Sequence, residues 1–195
     1  MKKNIAILVF DDVEVLDFAG PFEVFALTDE LCGHEPFHTF TLAEWPGSVR
    51  ARNGLKVVPD FTLETCPPPH VLVIPGGQGT RPLLKKPALL EWIRTKARTA
   101  ELVLSVCTGA LVLAKAGLLD GLRVTTHHLA LDLLRELAPS ATVDPSRRFH
   151  DNGKIITAAG ISAGLDASLH AVARLLDPAA AEATARQMEY EAAAE

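Results

Sequence analysis

The chain has 195 residues, 48% of them apolar and 22% charged, the proportions of an ordinary globular domain. Lys and Arg number 19 against 24 Asp and Glu, and a formal charge of −5 lacks the basic footprint of a nucleic-acid binder. No apolar run approaches the ~20 residues of a membrane span. The three cysteines, Cys32, Cys66 and Cys107, are an odd number at wide spacing and form no zinc-type cluster. The expectation is a single cytoplasmic domain over residues 1–195 with reduced cysteines, no metal, and no nucleic-acid or membrane partner.

Ile5 to Phe10 reads as an opening strand and not as a leader, because Asp11 and Asp12 end the apolar stretch after six residues. Val13 to Leu27 follows with helical character but contains Pro21, so a loop is expected before a helix that starts near the proline. A β excursion is expected over Phe37 to Trp45 and Gly54 to Val58. The stiff run Cys66-Pro67-Pro68-Pro69 leads into a strand at Val71 to Ile74. Pro87 to Arg98 carries the spacing of an amphipathic helix, with Leu89, Leu90, Trp92 and Ile93 on one side. A strand at Leu102 to Val106 runs into a helix at Thr108 to Ala116.

Further on, a short strand at Leu122 to Val124 precedes a helix at Leu129 to Leu137. Arg147 to Asp151 and Lys154 to Ala158 read as a hairpin turning at Asn152-Gly153. Helices are expected at Ser162 to Leu176 and at Pro178 to Glu191, the second capped by Asp177. The three apolar strands do not alternate polar with apolar, as fits strands covered on both faces. Strand alternating with helix predicts an α/β fold of the flavodoxin-like, three-layer kind, mostly parallel with helices on both faces.

The stretch from Leu102 to Lys115 carries the strongest chemical signal. A buried-type strand runs straight into Cys107 and a helix begins at once, the pattern of a nucleophile elbow at the carboxyl edge of a sheet. A thiol placed there feels the helix N-terminus, which favours the thiolate. The competing reading is that Cys107 is a small buried hydrophobe. Cys32 and Cys66 lack the strand-to-helix setting.

A second strand ends in Pro75-Gly76-Gly77-Gln78-Gly79, where glycines can aim backbone N–H groups at an anion or can simply form a tight turn. The Lys-Ser/Thr ending of a phosphate loop is absent. Asp17, within Leu16-Asp17-Phe18-Ala19-Gly20-Pro21, is an acid in an apolar segment, where a carboxylate needs a partner. It reads either as the cap of the following helix or as a buried acid that needs a partner. His127, in Thr125-Thr126-His127-His128, reads as a base or, by its setting, as a cap or packing ring.

Taken with Ser105-Val106-Cys107-Thr108-Gly109 and the run Ala159 to Asp166, these segments resemble the ThiJ/PfpI superfamily from Ile5 to about Tyr190. The pattern is similar to that of its isocyanide hydratase subgroup. Protease-, glyoxalase- and deglycase-like branches usually place His after the cysteine and use a Glu. Here Thr108 follows Cys107 and the matching acid is Asp17. The sequence departs from the subgroup at His128, where relatives carry Trp, and at Ala159, where they carry Gly. Sensor halves of some transcription regulators share the pattern ahead of a helix-turn-helix domain, which is not expected within the residues up to Glu195.

The resemblance implies a cofactor-independent enzyme acting on small molecules as a homodimer. Its nucleophile would be Cys107 and its proton carrier Asp17, with Gly76, Gly77, Thr108, His127 and Ile161 lining the substrate or oxyanion site. The implied reaction converts isocyanides to N-substituted formamides through a thioimidate. Two alternatives stand beside it: a glyoxalase- or amidase-like enzyme, and a cysteine oxidation sensor without turnover.

Overall fold

The computed structural model describes residues 2–192. Its first half contains strand β1 (Lys3–Leu8), helix α1 (Val15–Leu31) and strand β2 (Phe37–Ala43), then three short strands, β3 (Val49–Arg50), β4 (Lys56–Val57) and β5 (Phe61–Thr62). Strand β6 (Val71–Ile74) leads to helices α2 (Thr80–Leu83) and α3 (Pro87–Thr99), and β7 (Leu102–Ser105) leads to α4 (Gly109–Lys115). Next come β8 (Arg123–Val124), α5 (Leu131–Leu137) and β9 (Thr142–Val143). The chain closes with β10 (Phe149–Asp151), β11 (Ile155–Ala158), α6 (Ala163–Leu175) and α7 (Pro178–Gln187).

Seven strands form one sheet in the order β10-β11-β7-β6-β1-β2-β5, parallel throughout except for the β10–β11 hairpin. From β1 the chain crosses through α1 to β2 on one side, while β6 and β7 build outward on the other. Right-handed crossovers running in opposite directions place their helices on opposite faces. Helices α1, α6 and α7 pack together, and α2, α3 and α5 gather around α4. Ile5, Ile7, Val71, Val73, Val103 and Leu104 are fully buried between these layers. This is the doubly wound, three-layer fold that the unbroken apolar strands predict.

Three expectations are corrected. Helix α1 starts at Val15, six residues before Pro21, and carries the proline in its interior. Its missing N–H leaves one helical hydrogen bond unmade, yet Phe18, Val24 and Phe25 on either side are buried, and that burial outweighs the lost bond. The segment from Phe37 is no excursion from the main sheet: β2 lies beside β1 in it, register Lys3↔Phe37 to Leu8↔Leu42, whereas β4 pairs with β3 in a separate ribbon. The hairpin turns one residue later than expected. Asp151 faces Ile156 and Asn152 N–H donates to the Ile155 carbonyl at 3.0 Å, so Gly153, at φ +82°, and Lys154 make the turn.

Candidate active site

Two loops at the carboxyl edge of the sheet are tied together. Val13, after β1, bridges to Gly77, after β6, and Glu14 N–H donates to the Gly76 carbonyl at 2.9 Å. Helix α1 therefore starts against the end of β6, and its first turn presents Asp17 there. Asp17 is completely buried; its Oδ2 accepts the Gly76 N–H at 3.0 Å, while Oδ1 has no hydrogen-bond partner of good geometry among the described residues. Gly76 is required for this approach: a Cβ on it would lie 2.8 Å from Asp17 Oδ2 and 2.5 Å from the Thr108 nitrogen.

The elbow forms as the motif predicts. Val106 N–H donates to Ile74, then the chain turns at Cys107 with φ +57°, and α4 begins two residues later. A left-handed non-glycine residue carries ~1–3 kcal/mol of strain and needs surroundings that impose it. Here the Cys107 N–H is shared by the carbonyls of Ala158 and Ala159, at 3.1 and 2.9 Å, and its own carbonyl accepts the Thr126 hydroxyl at 2.7 Å. Gly109 lets α4 pass beneath β6, since a Cβ there would sit 1.9 Å from the Ile74 carbonyl oxygen.

Ile161, facing the elbow, is also held at positive φ, +52°, although β-branched. Its N–H faces both the Asp17 carboxyl and the Cys107 sulfur, and the Thr108 N–H also faces the sulfur. The sulfur thus sits between two backbone donors and one buried acid.

Burial pushes Asp17 up to about 7, with the Cys107 thiol, the Gly76 and Ile161 N–H groups pulling it down and Glu14 adding to the rise. Burial, followed by the charge of Asp17, pushes the Cys107 thiol up to about 12, against the pull of the Thr108 and Ile161 N–H groups. The pull of the short helix N-terminus toward the thiolate is outweighed by desolvation and by the acid in contact. The two groups behave as one unit, losing its first proton near neutral pH and holding the second far into the alkaline range.

The remaining candidate residues fall into place differently. Gly76 donates to Asp17 and Gly77 donates to Thr108 Oγ1 at 2.9 Å, so neither N–H is left to hold an oxyanion. They position the acid and the elbow, and the donors that face the sulfur come from Thr108 and Ile161. His127 Nδ1 accepts from Leu129 N–H at 3.3 Å as a cap, and its ring fills the space where Gly160 would carry a Cβ, 2.4 Å from His127 Cδ2. Burial, then His128 and Arg81, lower its pKa. Cys32 caps the end of α1 in solvent; Cys66 is buried, and burial pushes it up to about 11.

Glu14, which reads from the sequence as a solvent-side acid, pairs with Arg52 at 3.0 Å and acts on Asp17. The pairing spans two loops, and no local pattern marks it. Beside the elbow lies a cavity of about 370 Å³ lined by Thr126, His127, His128, Ala159 and Ile161. Neither it nor a larger one of about 520 Å³, around Arg148 and Asp166, is lined by Cys107 or Asp17. Among the described residues no group of three or more His, Cys, Asp or Glu is placed to hold a metal ion. Nor is any described helix long and apolar enough to cross a membrane.

Fold and site together define an α/β protein with a cysteine elbow backed by a buried acid. The DJ-1/PfpI family profile matches residues 3–174, and the chain belongs to that family. It is 36% identical over 190 residues to the isonitrile hydratase of Pseudomonas putida, across 97% of this chain and 79% of that protein. It is 31% identical to the transcriptional regulator CdhR of Pseudomonas aeruginosa, across 91% of this chain but 52% of the regulator. A THiJ/PfpI protein structure from Pseudomonas syringae superposes with a TM-score of 0.88 at 31% identity, covering all of this chain and 77% of the other. Drosophila melanogaster DJ-1beta, 17% identical, shares the fold with a TM-score of 0.85, covering 98% of this chain and 100% of the other.

Proposed function

We propose that this protein is a cytoplasmic, homodimeric lyase that hydrates isocyanides to N-substituted formamides, with Cys107 as nucleophile and Asp17 as proton carrier. The observation that carries the reading is the buried Asp17 carboxyl, pushed to about 7, at the Cys107 thiol, with Thr108 in place of a basic side chain after the cysteine. The similarity to an isonitrile hydratase supports it. Cys107 is only 6% exposed, so a group that reaches it must be thin, as a linear isocyanide is.

In the singly protonated pair, transfer of the thiol proton to Asp17 gives a thiolate beside a carboxylic acid. The sulfur attacks the terminal carbon of R–N≡C and Asp17 delivers the proton to that carbon, leaving R–N=CH–S–Cys107. Water adds across the C=N bond, its proton passing to nitrogen through Asp17. Collapse of the R–NH–CH(OH)–S–Cys107 adduct expels the thiolate and yields R–NH–CHO, and the hydroxyl proton returns to the pair. The Thr108 and Ile161 N–H groups stabilise negative charge on sulfur at both ends of the cycle.

The test is a paired assay: formamide from an aryl isocyanide and lactate from methylglyoxal, with the same preparation. Formamide formation well above the buffer rate with no comparable lactate supports the reading. Lactate alone overturns it in favour of glyoxalase chemistry. Stable two-oxygen addition to Cys107 under mild peroxide, with no turnover of either compound, overturns it in favour of a sensor.

A further inference from the structure

Asp166 belongs to the Ala159 to Asp166 motif, yet the chemistry above does not use it. It lies in the first turn of α6 with its side chain 2% exposed, and it is gripped from two directions. Arg148 Nε donates to Oδ2 at 2.5 Å, and the hydroxyl of Tyr190, the one tyrosine of the chain, donates to Oδ1 at 2.9 Å. Arg148 also donates from Nη2 to Ser162 Oγ at 3.1 Å, and its carbonyl accepts the Ala159 N–H at 2.8 Å. The Ser162 hydroxyl, at the N-cap of α6, makes no capping bond and is held by Arg148. Arg148 therefore holds residues 159, 162 and 166, and the strained Ile161 lies inside that bracket.

We infer that Arg148, Asp166 and Tyr190 are positioning residues, a clamp that holds the Ile161 turn in its left-handed conformation and so keeps its amide on the Cys107 sulfur. A β-branched residue at positive φ relaxes unless its neighbours hold it. Relaxation would swing away a donor that favours the thiolate, and Cys107 would become reactive only at higher pH. The groups facing the sulfur are Asp17, itself beside Glu14, and the amides of Thr108 and Ile161. Those facing the clamp from the neighbouring cavity are Arg123, Asp144, Arg147, His150, Asp151 and His170.

This inference rests on the reading that Cys107 is a reactive thiol, but not on which electrophile it takes. It is tested in the full chain carrying Cys32→Ser and Cys66→Ser, so that iodoacetamide reports Cys107 alone by intact mass, across a pH series. Asp166→Asn is expected to move the first midpoint of the alkylation profile up by about one unit, roughly a tenfold loss of rate below it. Tyr190→Phe, a milder change that leaves Arg148 in place, should move it the same way by less. Asp60→Asn is the control: its carboxylate holds Thr41 of β2 toward the opposite edge of the sheet, and its loss should lower Tm without moving the midpoint. If Asp166→Asn and Tyr190→Phe lower Tm but leave the midpoint where it was, the clamp is structural only and the inference fails. If Cys107 resists alkylation throughout the series with the clamp intact, the reactive-thiol reading fails and takes the inference with it.

Discussion

Thr108 and Gly77 hold each other through both of their polar groups. Gly77 N–H donates to Thr108 Oγ1 at 2.9 Å, and the hydroxyl donates back to the Gly77 carbonyl at 3.1 Å. The residue after the nucleophile is thereby fastened to the glycine loop that also holds Asp17. Thr108→Val keeps the shape and leaves a buried N–H without a partner, which costs about 1–3 kcal/mol. Thermal unfolding should show the loss for Thr108→Val, while Thr108→Ser, which keeps the hydroxyl, should stay near wild type.

Gly76→Ala tests the placement of the acid. The added methyl meets Thr108 nitrogen and Oγ1 at 2.5 and 2.7 Å and Asp17 Oδ2 at 2.8 Å, so the elbow and the carboxyl must part. The expected outcome is a ~10²–10⁴-fold drop in kcat, the value of a positioned acid–base group. Steady-state kinetics on the folded variant, confirmed by circular dichroism, would show it.

The two raised pKa values set the pH dependence. Below about 7 both Asp17 and Cys107 are protonated and no thiolate can form by internal transfer; above it one proton is shared until about 12. The predicted kcat/KM for isocyanide hydration therefore rises with pH through about 7 and stays level over the next units. A profile that falls through neutrality would mean that the doubly protonated pair is the active form.

Keeping Asp17 buried destabilises the fold above acid pH. Its folded value, about 7, lies above its usual 3.8, so the unfolded chain loses this proton first and stability falls between those values. At ~1.4 kcal/mol per unit the loss amounts to about 4 kcal/mol at most by pH 8. Asp17→Asn, which can still accept the Gly76 N–H, should unfold at a higher denaturant concentration than wild type at pH 8. That advantage should shrink toward pH 4.

The parts legible in the sequence are those with a local cause. Unbroken apolar runs mark β1, β6 and β7, and the step from strand to helix marks Cys107. Pro21 misled because its cost is local and the burial of Phe18, Val24 and Phe25 that overrides it is tertiary. The glycine loop was legible as a loop at the sheet edge, but the targets of its N–H groups, Asp17 and Thr108, lie 59 and 31 residues away. The resemblance named Ile161 for the site, but its strain and its clamp were hidden for the same reason: no pattern announces a strained isoleucine, and Arg148, Asp166 and Tyr190 meet only when the last helix folds back over α6.

The central claim is that substrate carbon becomes bonded to Cys107 with Asp17 moving the proton. Rapid acid quench of the protein with an aryl isocyanide, followed by intact mass and peptide mapping, tests this directly. The account predicts a transient gain equal to the mass of the isocyanide on the Cys107 peptide in wild type. In Asp17→Asn the gain should form at least ~10²-fold more slowly, and in Cys107→Ala it should not form. Formamide production by Cys107→Ala at the wild-type rate, or a wild-type rate of adduct formation in Asp17→Asn, would contradict it.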